Sequence, residues 1–418
     1  MVAADDLSVA EAEWFSRPET KVAFACLNSG GFEARAVGGA VRNALLGRGA
    51  VTEVDFATTA TPEDVIKLAA EAGIKALPTG VAHGTVTLIV NGVPFEVTTL
   101  RRDVATDGRH ATVAFGTDWA GDARRRDFTM NAIYADAAGK IYDPLGGLED
   151  LRAGRVRFVG EPEARIREDY LRTLRFFRFS ADYAREAFDS AGIAAAIRER
   201  GGLARLSRER VRMELLRILV ARRAGEAIEI MEDGGLLLPL LGGVTRRLRF
   251  KRLCSIEAAL GLVPGAVLRL AALAVFVKED AVRLEEKLRL STQEAKDLAA
   301  FAEMSPGLTG YASKPQLEVS LYKLGTRLYL GQLLMAWAAS DAALDDPAWR
   351  FAAGLAVSWR QPVFPIGGAD LIALGVMPGP AMGALLKDLE EQWATGGFSA
   401  DRDTLLRVAQ AKAPARRR

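Results

Sequence analysis

Hydrophobic spacing divides the chain into two regimes. Residues 11–30 carry apolar positions at helical intervals and predict a leading helix. Residues 33–136 mix short alternating runs, of strand type, with one or two helices. The clearest run is HGTVTLIVNGVPFEVTTL, residues 83–100, where two alternating segments flank Asn91-Gly92, a strong hairpin signal. A two-residue turn there pairs Val90 with Val93 and, counting back, Thr87 with Glu96, leaving Glu96 and Thr98 on one face. From about residue 160 the period becomes helical and convincing strands stop. LSRERVRMELLRILVARR places Ser207 as an N-cap before Leu, Ile and Val at helical spacing. STQEAKDLAAFAEM opens on the capping-box pair Ser291 and Glu294. LYKLGTRLYLGQLLMAWAAS and AMGALLKDLEEQW are also helical, and no repeat of fixed period occurs. The expected fold class is α+β: a small head with a mixed sheet, then an all-α remainder, with boundaries near 150, 220 and 300.

Composition narrows this picture. The chain has 418 residues, 50% of them hydrophobic and 26% charged, an ordinary balance for a globular protein. No apolar run is long enough to span a bilayer. The opening MVAADDLSVAEAEWF is acidic and lacks the basic and apolar regions of a signal peptide. Two cysteines far apart, Cys26 and Cys254, exclude a disulfide framework or zinc cluster and suit a reducing cytosol. Net charge is only +2, but arginines crowd residues 101–126, 152–185 and 205–223, and the chain ends ARRR. Such clusters read either as solvated helix faces or as local surfaces for a polyanion.

Three stretches carry candidate chemistry. In VTEVDFATT, strand alternation projects Glu53 and Asp55 to one side and buries Val54 and Phe56 on the other. By itself that is the wet face of an edge strand. Two adjacent carboxylates repel, however, and a divalent cation removes the cost; Mg²⁺ takes one or two carboxylates, waters and substrate phosphates. Upstream, Gly38-Gly39 precedes a helix beginning near Ala40. This is either a tight turn or a phosphate-binding helix start, with Arg42 in the first turn as a charged partner. RRRDFTMNAIYAD, residues 124–136, offers Arg126 for ribose or phosphate, with Asp127 orienting it or simply capping a helix. In EDYLRTLRFFRF, residues 168–179, a continuous helix aligns Arg172, Arg175 and Arg178, with Asp169 one step before Arg172. Leu171, Leu174 and Phe177 form the inward row. A solvated salt-bridge face is one reading. The other is an acceptor beside a donor, which matches the amino group and ring nitrogen that cytosine and adenine share and rejects guanine and uracil. Arg175 and Arg178 then remain for a triphosphate.

VGGAVRNALLG, EVDFATTATPE, TGVAHGTVTLIV with FEVTTLR, RRDFTMNAIYAD, YDPLGGLEDLRAG, EARIREDYLRTLRFFRF and LSRERVRMELLRIL, in that order, resemble the class II tRNA nucleotidyltransferases. These are the bacterial CCA-adding enzymes and poly(A) polymerases of the polymerase-beta superfamily. The resemblance implies a nucleotidyltransferase head (1–150), a nucleotide-selecting neck (151–220), a helical body (221–300) and an RNA-binding helical tail (301–418). It implies Mg²⁺ on Glu53 and Asp55, Glu96 as third acid, and nucleotide contacts from Gly38, Gly39, Arg42, Arg126, Asp127, Asp169, Arg172, Arg175 and Arg178. Its partners would be CTP, ATP and the acceptor arm and 3′ end of tRNA, in the cytoplasm.

GIKALPTGVAHGTVTLIV resembles the CCA-adding version, and the basic G-[RK]-R-F signature of the poly(A) polymerases is absent from that stretch. PIGGADLIALGVMPGPAMGALLKDLEEQW resembles the tail of bacterial CCA-adding enzymes. The rivals are a poly(A) or A-adding enzyme of the same fold, and an RNA-binding protein with an inactive head. Two positions depart from the family pattern: Glu53 stands where Asp is usual, shifting the carboxylate by about 1.5 Å, and Asn43 where Asp is frequent. His83 and His110 are too few for a phosphohydrolase module. Residues 101–119, rich in Asp, Gly and Thr, read as a mobile loop beside the site.

Overall fold

The computed structural model describes residues 8–49, 53–81, 84–107 and 110–412. The expectations for the extreme N-terminus, His83 and the terminal ARRR lie outside these residues. The chain forms two compact units, Met1–Leu240 and Leu241–Arg418. The boundaries expected near 150, 220 and 300 all fall inside them.

In the first unit seven strands build one mixed sheet: β1 (Ala34–Val37), β2 (Asp55–Thr58), β3 (Lys75–Gly80), β4 (Thr85–Val90), β5 (Val93–Thr99), β8 (Tyr134–Ala135) and β9 (Ile141–Tyr142). Their order is β3-β4-β5-β2-β1-β8-β9. Only β2 and β5 run parallel; every other pairing in this sheet is antiparallel. The β4–β5 hairpin takes the expected register, Val90 opposite Val93 and Thr87 opposite Glu96. Its turn has φ 49° at Asn91 and 84° at Gly92, the two positive angles a type I′ turn requires.

Residues 101–119 are not a loop. They form a separate ribbon, β6 (Arg101–Asp107) with β7 (His110–Phe115), followed by the helix Trp119–Arg124.

Alternation in β2 and β5 sends Phe56 and Phe95 to one face of the sheet. There Trp14, Phe15, Phe24, Phe56 and Phe95 form a chain of ring contacts 4.8–5.8 Å between centroids. It seats the helix Pro18–Leu27 on the sheet. Phe56 and Phe95 are essentially fully buried, and each such ring contributes about 2–3 kcal/mol by its removal from water. The opposite face carries Val37, Ala57, Leu100, Ala123, Ala132 and Tyr134. A second aromatic cluster, Phe128, Phe158, Phe176 and Phe179, fastens the helix Leu171–Tyr183 to the segment after the triple arginine.

The second unit contains helices and no strand among the described residues. Ser291 caps Thr292–Ala302 with the expected box: its backbone N–H donates to Glu294 (2.7 Å) and its side chain accepts from the Glu294 N–H (3.4 Å). The long helix Lys314–Ala339 is interrupted by Gly325 at φ 70°, a left-handed conformation that glycine adopts without strain. Trp337 near its end stacks on Trp349, 5.6 Å between centroids. Pro380–Thr395 packs Leu389 and Trp393 against Leu371 and Leu405. No helix among the described residues is long and apolar enough to cross a membrane.

Candidate active site

Strand β2 begins at Asp55, and its parallel neighbour β5 places Glu96 directly opposite. Both are exposed, whereas their successors Phe56 and Val97 are buried. The same row continues through Val37 on β1 to Tyr134 on β8. Glu53 lies two residues before Asp55, exposed and just outside the strand, with Val54 buried between them. Asp55 meets solvent, yet the protein around its carboxyl displaces enough water to push its pKa up to about 6. Glu96 and then Glu53 add to the push, and Arg126 opposes it.

Among the described residues no three acids, histidines or cysteines close into a ready metal cluster. The donor set is open: two registered carboxylates with a third beside them and too little positive charge to neutralise Asp55. That fits Mg²⁺, which uses one or two protein carboxylates and fills its remaining positions with water and phosphate.

The turn at Gly38 follows Val37, the residue paired with Asp55. Gly38 has φ 74° and ψ −122°, a conformation open only to glycine, and forms the N-cap of Gly39–Leu45. Arg42 does not project to solvent. It is 6% exposed, and its guanidinium donates to Asn131 Oδ1 (2.5 Å), Asn43 Oδ1 (3.2 Å) and Tyr183 Oη (2.8 Å). Burial lowers its pKa. Its tip lies behind Gly39, where an added Cβ would sit 3.8 Å from Nη2. Arg42 therefore braces the turn from within.

Arg126 is oriented by Asp122, not by Asp127. Its Nη2 lies 3.1 Å from Asp122 Oδ2 and its Nε 3.1 Å from Tyr134 Oη, which in turn donates to Asp122 at 2.8 Å. Burial works against the Arg126 charge, but Tyr134 and Asp122 outweigh it and raise its pKa. Asp127 instead accepts from Phe128 N–H (2.9 Å), Asn131 Nδ2 (3.0 Å) and Arg175 Nε (2.8 Å). Burial would raise its pKa, but Arg175, Asn131 and the backbone hold the carboxyl below the usual range.

The expected continuous helix over 168–179 is broken. One helix ends at Glu168 and the next starts at Leu171, so Asp169 sits extended between them, off the arginine row. At the break Asp169 Oδ1 accepts from the Leu171 N–H (3.1 Å), and the residue between them is Tyr170. Its ring fills the space beside Gly202, where an added Cβ would come within 1.9 Å. Asp169 is gripped by Arg210, with contacts of 3.3 and 2.7 Å to its two oxygens. Arg172 pairs with Glu168 (2.5 Å) and donates to the Arg165 carbonyl (2.9 Å). Arg175 pairs with Asp127 (2.6 Å), and Arg178 with Glu214 (2.6 Å). The inward row is as expected: Leu171, Leu174 and Phe177 are buried. The partners Asn131, Glu168, Arg210 and Glu214 lie within the stretches quoted for the resemblance, but no role was read for them there, and Asp122 lies in none of those stretches. For Arg210 and Glu214 the one available signal was charge within the inward spacing of the helix Arg208–Val220.

Comparison with known proteins identifies relatives of this chain. Residues 34–157 match the poly A polymerase head domain family, and residues 192–247 match the probable RNA and SrmB-binding site of polymerase A. The chain is 37% identical over 391 residues to the mitochondrial CCA tRNA nucleotidyltransferase 1 of Danio rerio, covering 90% of this chain and 86% of that protein. It is 33% identical to the Homo sapiens counterpart with the same coverage. The crystal structure of the Bacillus stearothermophilus CCA-adding enzyme in complex with CTP superposes with a TM-score of 0.73 at 27% identity, over 94% of this chain and 98% of that one.

Proposed function

The chain belongs to the CCA tRNA nucleotidyltransferase family, and on that premise we propose that it transfers CMP and AMP from CTP and ATP to the 3′ end of tRNA. The observation that carries the reading is the registered Asp55–Glu96 pair beneath the Gly38 turn. Asp55 and Glu53 would hold Mg²⁺, which would supply Lewis-acid polarisation of the phosphoryl oxygens and ease deprotonation of the attacking hydroxyl. Gly38 and Gly39 offer backbone N–H groups to the phosphates, and Arg126, fixed by Asp122, faces the same carboxylates. Glu96 assists removal of the 3′-hydroxyl proton, accepting it as the oxygen attacks the α-phosphorus in line; the new P–O bond forms as the bond to the leaving pyrophosphate breaks.

Asp169 and Arg172 present the acceptor and donor edge that selects cytosine and adenine. In the structure each is held by another partner, Arg210 and Glu168, so selection requires them to share those partners with the base. Arg175 and Arg178 support the triphosphate side while anchored to Asp127 and Glu214. Residues 1–150 act as head, 151–220 as neck, and 221–300 and 301–418 as body and tail, which hold the acceptor arm. Two free cysteines suit a reducing compartment, here the cytoplasm.

Incubation with tRNA lacking CCA, Mg²⁺ and singly labelled nucleotides tests the reading. CTP incorporation followed by one A supports it. Long A tails, A alone, or no incorporation overturn it.

A further inference from the structure

A cavity of about 210 Å³ in the first unit has a lining that includes none of Glu53, Asp55, Glu96, Gly38 and Gly39. Four guanidiniums line it, those of Arg48, Arg155, Arg185 and Arg222, against one carboxylate, Asp150. Asp150 is fully buried and already committed. It accepts from Thr129 Oγ1 (2.6 Å) and pairs with Arg155 (3.2 Å) and Arg157 (3.0 Å). Arg155 also reaches Glu149 (2.7 Å). Arg48 and Arg222 are aimed by neutral carbonyls, Asp182 O at 2.9 Å and Ala184 O at 2.5 Å, which orient a guanidinium without cancelling its charge. The carboxyl of Asp182 adds one negative charge near Arg48. Arg185 makes no ion pair among the described residues. Its stem lies across Gly154, where a Cβ would come within 2.5 Å of Arg185 Cγ, so Gly154, at φ 64°, leaves the room it needs. Tyr183 lines the same cavity and takes Arg48 over its ring at 4.3 Å.

Concave arginines with surplus charge repel one another unless an anion joins them, and their planar forks match phosphate oxygens in pairs. We infer that this cavity binds a phosphate group, separately from the carboxylate cleft. The group is either free, as in pyrophosphate, or part of an RNA backbone.

The test uses the full chain with Arg185→Glu/Arg222→Glu, and Arg185→Gln as a milder variant should the double one not fold, as judged by thermal melting. Inorganic pyrophosphate without divalent cation is titrated by calorimetry, and tRNA lacking CCA by filter binding. Losing charged hydrogen bonds weakens the true ligand about tenfold or more. A loss for pyrophosphate alone assigns the cavity to free anions. A loss for tRNA, with a salt dependence shallower by about one to two in log–log slope, assigns it to RNA phosphates. Unchanged affinity for both probes in a folded variant overturns the inference. CTP incorporation at saturating tRNA, which depends on the carboxylate cleft, separates this outcome from failure of the proposed activity.

Discussion

Asp55 and Asp169 are both acids near the expected chemistry, but their surroundings set them different tasks. Asp55 is crowded by Glu96 and Glu53, with only Arg126 opposing, so it is a carboxylate in search of a cation. Asp55→Ala should lower CMP addition by several kcal/mol of barrier, about three decades of rate, while tRNA affinity in a filter assay stays near wild type. Asp169 is fully matched by a two-pronged arginine. Asp169→Ala should therefore leave the rate of metal-dependent transfer largely intact and relax choice, measured as the CTP to UTP ratio of kcat/KM. Unchanged selectivity would sink the role given to it.

Between elements, the Asp127–Arg175 contact ties the segment after the triple arginine to the helix Leu171–Tyr183. Asp127→Asn should destabilise the first unit by about 2 kcal/mol near neutral pH, the worth of a hydrogen bond to a charged group, read by urea unfolding. The pH dependence follows from the depressed carboxyl. Its stabilisation is complete above the unfolded pKa, about 4, and is lost as pH falls through the lower folded value. The variant should accordingly show a flatter decline in stability below pH 4 than wild type, the two curves converging in acid.

This is also the scale at which reading from sequence stopped. The β4–β5 hairpin was legible because one dipeptide fixes its register. The facing of Asp55 and Glu96 was not, because parallel pairing across forty residues leaves no local trace. The arginine row was legible as a row, but Arg175 and Arg178 find their partners in distant segments, and periodicity does not encode the extended backbone at Asp169 that interrupts the helix.

For the whole molecule, the formal charge of +2 hides local basic surfaces, so binding of tRNA should be governed by a limited number of phosphate contacts. Its affinity should fall linearly in a log–log plot against salt, by about 0.7–0.9 per contact, measured by filter binding between 50 and 200 mM salt. A flat plot would argue against phosphate-based recognition by body and tail. The family match extends over 90% of the chain and so covers both compact units.

Gly202 has a consequence for how variation in this protein is interpreted. It touches no nucleotide, metal or RNA in the proposed reaction, and a survey by distance would class it as inert. Yet the space it leaves empty is occupied by Tyr170, the neighbour of Asp169 at the junction of two helices. A side chain at 202 would displace that ring and disturb the adjoining Asp169, the acid proposed to read the base. An inherited or laboratory change there would therefore surface as miscoded tRNA ends, an error of fidelity rather than of yield.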